Sequence, residues 1–144
     1  MNDSVKLYQE VSVLLVEDDE IDADCVIRAF KKIGLENLVH RAKDGIEALE
    51  MLRTPGKMHR PLVLLVDLNM PRMNGIELIN ELRNDPNLST LVVFVLTTSR
   101  ADEDRLSAYK HHVAGYIVKN EMDTGFIDLV TMLDEYWRIV VLPN

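Results

Sequence analysis

Four short polar stretches carry side chains suited to metal and phosphate chemistry. They are Glu17-Asp18-Asp19, Asp67 with Asn69 two residues on, Thr97-Thr98-Ser99, and Lys119. Carboxylates crowded together repel and raise one another's pKa. A hard divalent cation relieves that repulsion. Mg²⁺ takes oxygen ligands in octahedral geometry, usually one or two carboxylates with water and phosphate. A carboxylate can also act as nucleophile and form an aspartyl phosphate. Phosphoryl transfer then needs little beyond alignment and charge neutralisation. Mg²⁺, the Lys119 ammonium and the Thr97 hydroxyl would supply the neutralisation.

Taken singly, each residue has a plainer role. Asp19 suits the cap of a following helix equally well, Thr97 suits a helix start, and Lys119 suits a solvated surface. What sets them apart is where they fall among the elements. Apolar segments at 11–16, 38–41, 62–66, 91–96 and 115–118 read as strands, and those at 62–66 and 91–96 are continuously apolar. Such runs predict strands covered on both faces, as in a parallel sheet. The segment at 38–41 carries His40 and Arg41 and reads as an edge strand. Helices are predicted at about 20–33, 44–53, 75–84, 102–112 and 124–140. Ile21, Cys25, Val26, Ala29 and Ile33 share one side of the first, with Cys25 as a core filler. Gly34 suits its end, and Asp44 with Glu47 the capped start of the second helix.

Strand and helix alternate along the whole chain, which predicts right-handed βαβ units in a doubly wound α/β sheet. Ligands bind such sheets outside the carboxyl ends of the strands. Strands one, three, four and five run into Glu17, Asp67, Thr97 and Lys119 respectively. One rim therefore collects all the chemistry.

Composition narrows the function. The 144 residues suit one domain, with 47% hydrophobic and 28% charged side chains. Asp plus Glu number 24 against 16 Lys plus Arg, a formal charge of −8. That balance argues against nucleic acid, whose backbone calls for clustered positive charge, and against an anionic membrane surface. The longest apolar runs have six residues, far below the ~20 that span a bilayer. Cys25 is the single cysteine, so no intrachain disulfide forms. A cytoplasmic protein is expected.

On these residues the chain resembles the receiver domain of two-component response regulators. The resemblance runs from about Ser12 to Trp137. It rests on Leu-Leu-Val-Glu17-Asp18-Asp19, Val-Asp67-Leu-Asn69-Met-Pro71-Arg-Met-Asn-Gly75, Leu-Thr97-Thr-Ser and Gly115-Tyr116-Ile-Val-Lys119. It implies a flavodoxin-like, five-stranded parallel sheet in order 2-1-3-4-5 with five helices. It implies that Asp67 accepts a phosphoryl group from a sensor histidine kinase. Asp18 and Asp67 would ligate Mg²⁺ through side chains and Asn69 through its carbonyl, with Glu17 acting through water. Thr97 and Lys119 would contact the phosphoryl group, and Tyr116 would be the aromatic switch that follows Thr97. A narrower resemblance, through Asp-Leu-Asn-Met-Pro-Arg-Met, Leu-Thr-Thr-Ser-Arg-Ala-Asp-Glu-Asp and Tyr136-Trp137 near the C-terminus, is to single-domain regulators paired with bacterial phytochrome kinases. Members of that group often form homodimers. The chain departs from the family at Asn120, where proline usually follows the lysine. A non-proline cis bond costs ~3 kcal/mol, so a trans peptide is expected there.

The last helix adds a second expectation. At ~100° per residue, Phe126, Leu129, Val130, Met132, Leu133, Tyr136, Trp137, Ile139 and Val140 cover roughly half its circumference. A helix lying on a sheet needs a narrower stripe. The surplus, continued by Val141 and Leu142, should protrude as an apolar patch. A homodimer through Phe126, Val130, Tyr136, Trp137, Val140 and Leu142 is expected, the alternative being a tail folded back on its own domain. Residues 1–144 are thus read as a single receiver, core about 11–140, with 124–144 as the candidate dimerisation surface and output through protein contacts. Two other functions compete: a phosphate-independent interaction module, and a Mg²⁺-dependent phosphohydrolase. The latter would want an acid where Asn69 stands.

Overall fold

The computed structural model describes residues 11–119 and 126–143. Five strands form one parallel sheet in the order β2-β1-β3-β4-β5. They are β1 (Ser12–Val16), β2 (Val39–Ala42), β3 (Leu62–Val66), β4 (Val92–Thr97) and β5 (Gly115–Val118). The helices are α1 (Glu20–Lys32), α2 (Gly45–Arg53), α3 (Gly75–Asn84), α4 (Asp102–Lys110) and α5 (Ile127–Ile139), with a 3₁₀ turn at Glu36–Leu38. This is the predicted doubly wound, flavodoxin-like architecture, with boundaries shifted by a residue or a few. Thr97 is the last residue of β4 rather than the first beyond it. The Lys119–Asn120 bond lies outside the described residues, as do 124 and 125 at the expected start of the last helix.

Alternation along the strands sends side chains into two cores. Leu14, Val16, Leu64, Val66, Val93 and Val95 pack under α2, α3 and Ala108 of α4. Val13, Leu15, Val63, Leu65, Phe94 and Leu96 pack under α1 and α5. All five residues of β3 are buried, which is why that segment carries no polar residue until Asp67.

Two sequence expectations fail here, for one reason. On α1, Val26 and Ala29 are buried as expected, together with Ala23 and Phe30, while Ile21, Cys25 and Ile33 are exposed. At about 100° per residue the expected and buried arcs overlap only at Val26 and Ala29, and the sheet takes the one carrying Phe30. On α5, Val130 and Trp137 lie in the core, with Trp137 only 4% exposed. Leu142 is 8% exposed because the tail returns onto the same cluster. Phe126 and Tyr136 are half-buried against it. The Tyr136 ring meets Phe94 of β4 edge to face, centroids 5.4 Å apart. Of the six residues expected to form a protruding surface, only Val140 is exposed. The wide arc is used up because α5 touches β4, α1 and its own tail. What remains outside is Ile139, Val140, Val141 and Met132.

Candidate functional site

Register aligns the acidic residues. Val16 pairs with Val66 across β1 and β3, so Glu17 and Asp67 leave the sheet side by side. The Asp67 N–H donates to Val16 O at 3.0 Å, and the Glu17 N–H donates to Ala42 O at 3.0 Å. Both residues thus keep sheet-like hydrogen bonds past the ends of the assigned strands. Carboxylate oxygens of Glu17, Asp18 and Asp67 lie within 4.8 Å of one another. Glu17 and Asp67 are buried and Asp18 is exposed. Asp19 serves the next element instead. Its Oδ1 accepts from the N–H groups of Ile21 and Asp22 at 2.9 and 3.0 Å, capping α1.

Lys119, just past β5, reaches into this cluster. Its Nζ lies 2.5 Å from Glu17 Oε1, 2.9 Å from Asp22 Oδ2 and 3.6 Å from Asp67 Oδ2. Glu17 Oε1 is buried and faces the Lys119 ammonium as an ion pair. Burial, with the negative charge of Asp67 adding to it, pushes the Glu17 carboxyl up to about 7 against the partial relief from Lys119. Burial pulls the Lys119 ammonium down, but the facing carboxylates outweigh it and hold it above its ordinary range. Three oxygen-donor carboxylates, two of them buried, fit a hard divalent cation and not a soft one.

Thr97 and Tyr116 meet through the backbone of Ser99. The Ser99 N–H donates to Thr97 Oγ1 at 3.3 Å, and the Tyr116 hydroxyl donates to Ser99 O at 3.0 Å. Ser99 Oγ in turn donates to Asp104 Oδ2 of α4 at 2.6 Å. Thr97 is wholly buried. A change at its hydroxyl is therefore wired to the β4–α4 loop and to the Tyr116 ring.

Asn69 is exposed on the loop after β3, its N–H donating to Asp67 Oδ1 at 3.3 Å. That loop is pinned at both ends. Arg72 forks onto Asp44, with Nε 2.5 Å and Nη2 3.2 Å from its two oxygens. The Arg72 guanidinium holds the Asp44 carboxyl below the usual carboxylate range. Asn74 and Glu77 form a reciprocal capping box on α3. Gly75 N–H donates to Leu68 O, and a Cβ at Gly75 would stand 2.4 Å from Asp67 O and 2.8 Å from Leu68 Cα. Both neighbours are backbone, so Gly75→Ala should move the segment that carries Asp67. We expect a loss of about 1–3 kcal/mol by denaturant unfolding, with weaker divalent-cation binding by titration calorimetry.

Sequence reasoning missed three positioning groups. Arg41 donates from Nε and Nη2 to Glu17 O at 3.0 and 2.9 Å and pairs with Glu20, fixing the acidic turn. Its only signal was a charge on an edge strand. Asp22 was hidden as one more acid in a helix start. Gly75 was visible as a residue but not as a close approach.

A parallel sheet with four carboxylates, a buried lysine and a buried threonine at one rim defines a class. The response regulator receiver domain model matches residues 13–131, and the chain belongs to that family. Response regulator Rcp1 of Synechocystis sp. is 31% identical over 135 residues, covering 91% of this chain and 92% of Rcp1. The probable methanogenesis regulatory protein FilR2 of Methanothrix harundinacea is 35% identical over 130 residues, covering 87% and 82%. The crystal structure of the Mn²⁺-bound form of Rcp1 superposes with a TM-score of 0.80 at 30% identity, covering 94% of this chain and all of that one. The phosphorylated cyanobacterial phytochrome response regulator RcpA gives 0.81 at 32% identity, covering 92% and 98%. The chain is therefore a receiver-domain response regulator related to phytochrome response regulators. Among the described residues, no helix is long and apolar enough to cross a membrane.

Proposed function

We propose that Asp67 accepts a phosphoryl group from a histidine kinase of the phytochrome type in a Mg²⁺-dependent reaction. The observation that carries this is the convergence at one rim: Lys119 Nζ 3.6 Å from Asp67 Oδ2, with Glu17 and Asp18 carboxylates beside it. The kinship to RcpA and Rcp1 supports the kinase class and a divalent cation.

In the transfer, an Asp67 carboxylate oxygen forms a bond to phosphorus. The P–N bond of the kinase phosphohistidine breaks, and the imidazole nitrogen keeps the electron pair. Lys119 brings a positive charge to the transferring oxygens, and the Thr97 hydroxyl at the end of β4 donates to one of them. Glu17, Asp18, Asp67 and the carbonyl of Asn69 would hold the cation, which when bound neutralises phosphoryl oxygens. Tyr116 carries the change outward through Ser99 and α4.

The reading extends to a regulator that works in the cytoplasm through protein contacts of its receiver domain. A second copy of this chain docks at the end of α5, where Ile139 and Val141 are the most exposed apolar side chains of the described residues.

The test is intact-mass detection of a phosphoryl adduct after treatment with acetyl phosphate and Mg²⁺. Wild type should gain one adduct, which EDTA prevents and Asp67→Asn removes. An adduct that persists in Asp67→Asn, or forms equally in EDTA, overturns the reading.

A further inference from the structure

We propose that Asp22 is a positioning residue that holds Lys119 away from Asp67 before phosphorylation and gives it up when the phosphoryl group arrives. This rests on Asp67 being the phosphoacceptor. The geometry is a three-way competition. Glu17, Asp22 and Asp67 come from β1's end, α1 and β3's end, and all face one ammonium at 2.5, 2.9 and 3.6 Å. An ammonium has three donors, and only 6% of this side chain is exposed. Water is therefore a poor substitute partner, and drawing the ammonium in from 3.6 Å to hydrogen-bond distance of a group on Asp67 pulls it from Glu17 or Asp22, which hold it at 2.5 and 2.9 Å.

Asp22 is the partner that can leave. Its side chain is 32% exposed, against 1% for Glu17. Returning the Asp22 carboxylate to water is cheap, and returning Glu17 is not. Asp22 also does not depend on Lys119 for its place. Its backbone N–H is held by the Asp19 cap at 3.0 Å, so it stands ready whether or not the ammonium is there. Asp67, the acceptor, is the most distant of the three. The ammonium thus begins within ion-pair reach of Asp67 but closer to Glu17 and Asp22. Releasing Asp22 is part of the activation step.

The covalent step read out is transfer from acetyl phosphate with Mg²⁺. An Asp67 oxygen bonds to phosphorus, the acyl O–P bond breaks, and acetate leaves with the electron pair. Asp22→Asn should raise the initial rate about 3- to 5-fold, the scale of a partly exposed ion pair. Asp22→Glu, which keeps the charge, should stay near wild type. Asp24→Asn removes one exposed charge from the same helix, and should change the rate less than Asp22→Asn. In a Lys119→Met background, Asp22→Asn should no longer accelerate. A helix-stabilising role for Asp22 would leave the rate unmoved or lower it. Equal acceleration by Asp24→Asn, or acceleration that survives in Lys119→Met, would make the effect a general charge effect and overturn the proposal. A wild type that takes up no phosphoryl group overturns both this and the phosphoacceptor reading. A phosphorylatable wild type with Asp22→Asn unchanged overturns this one alone.

Discussion

Trp137→Ala should destabilise the folded chain by about 3–5 kcal/mol, the cost of removing a large buried aromatic and leaving a cavity. Trp137 packs in the cluster formed by α1, α5 and one face of the sheet, beside Leu133 and Leu142. The loss should appear in urea unfolding as a lower midpoint with little change in slope. The contrast is with Ile139→Ser and Val141→Ser, which sit at 83% and 96% exposure. These should change stability by no more than about 0.5 kcal/mol. In the homodimer reading they should shift the light-scattering mass toward monomer at micromolar concentration. If Trp137→Ala left stability intact and instead dissociated a dimer, α5 would be turned the other way from the arrangement described above.

Divalent-cation affinity should fall on the order of 50-fold between pH 7 and pH 5, following one proton on Glu17. Burial raises this carboxyl from 4.5 to about 7. The cation needs the carboxylate form, so protons compete below about 7 and the affinity levels off above it. The same shift acts on stability in the opposite sense. A group whose folded pKa is raised contributes stability that is fully present below its unfolded value of 4.5. That contribution is lost as pH rises through about 7. Without cation, the Glu17 contribution thus favours the folded state in acid; with cation, the advantage moves to neutral pH. Calorimetric Mg²⁺ titrations from pH 5 to 8, with proton release measured in two buffers, would read the linkage. Glu17→Gln should flatten the profile. A wild-type affinity independent of pH across that range would show that Glu17 is already ionised in the absence of cation.

The legible part of the molecule was the part governed by local pattern. Continuous apolar runs such as 62–66 and 91–96 can only be comfortable with helices on both faces. Once strands and helices alternate, handedness and sheet type follow. The first polar residue after each strand then marks the rim where ligands bind. Asp67, Glu17, Asp18 and Lys119 were found that way, and the structure brings them together.

The illegible part was governed by competition between surfaces. Both α1 and α5 carry more apolar residues than one stripe needs, and periodicity cannot say which arc wins. The neighbours decide it. Phe94 is there to meet Tyr136, and the tail brings Leu142 back onto the cluster that holds Trp137. The partners of Lys119 were illegible for a related reason. Asp22 is 97 residues from Lys119 in sequence and 2.9 Å from it in space. Gly75 read only as the first residue of the helix predicted at 75–84, and the chain does not tell that the Asp67 carbonyl lies 2.4 Å from where its Cβ would stand.

By itself, then, the sequence determined the βαβ order, the single rim and the residue types available there, because strand ends and side-chain periods are set by local sterics and hydrophobicity. Only the tertiary structure decided which carboxylates share the lysine, which arc of α5 is buried and how closely α3 approaches Asp67. Those are through-space distances. They emerge when elements far apart in the chain are packed together, and no local spacing encodes them.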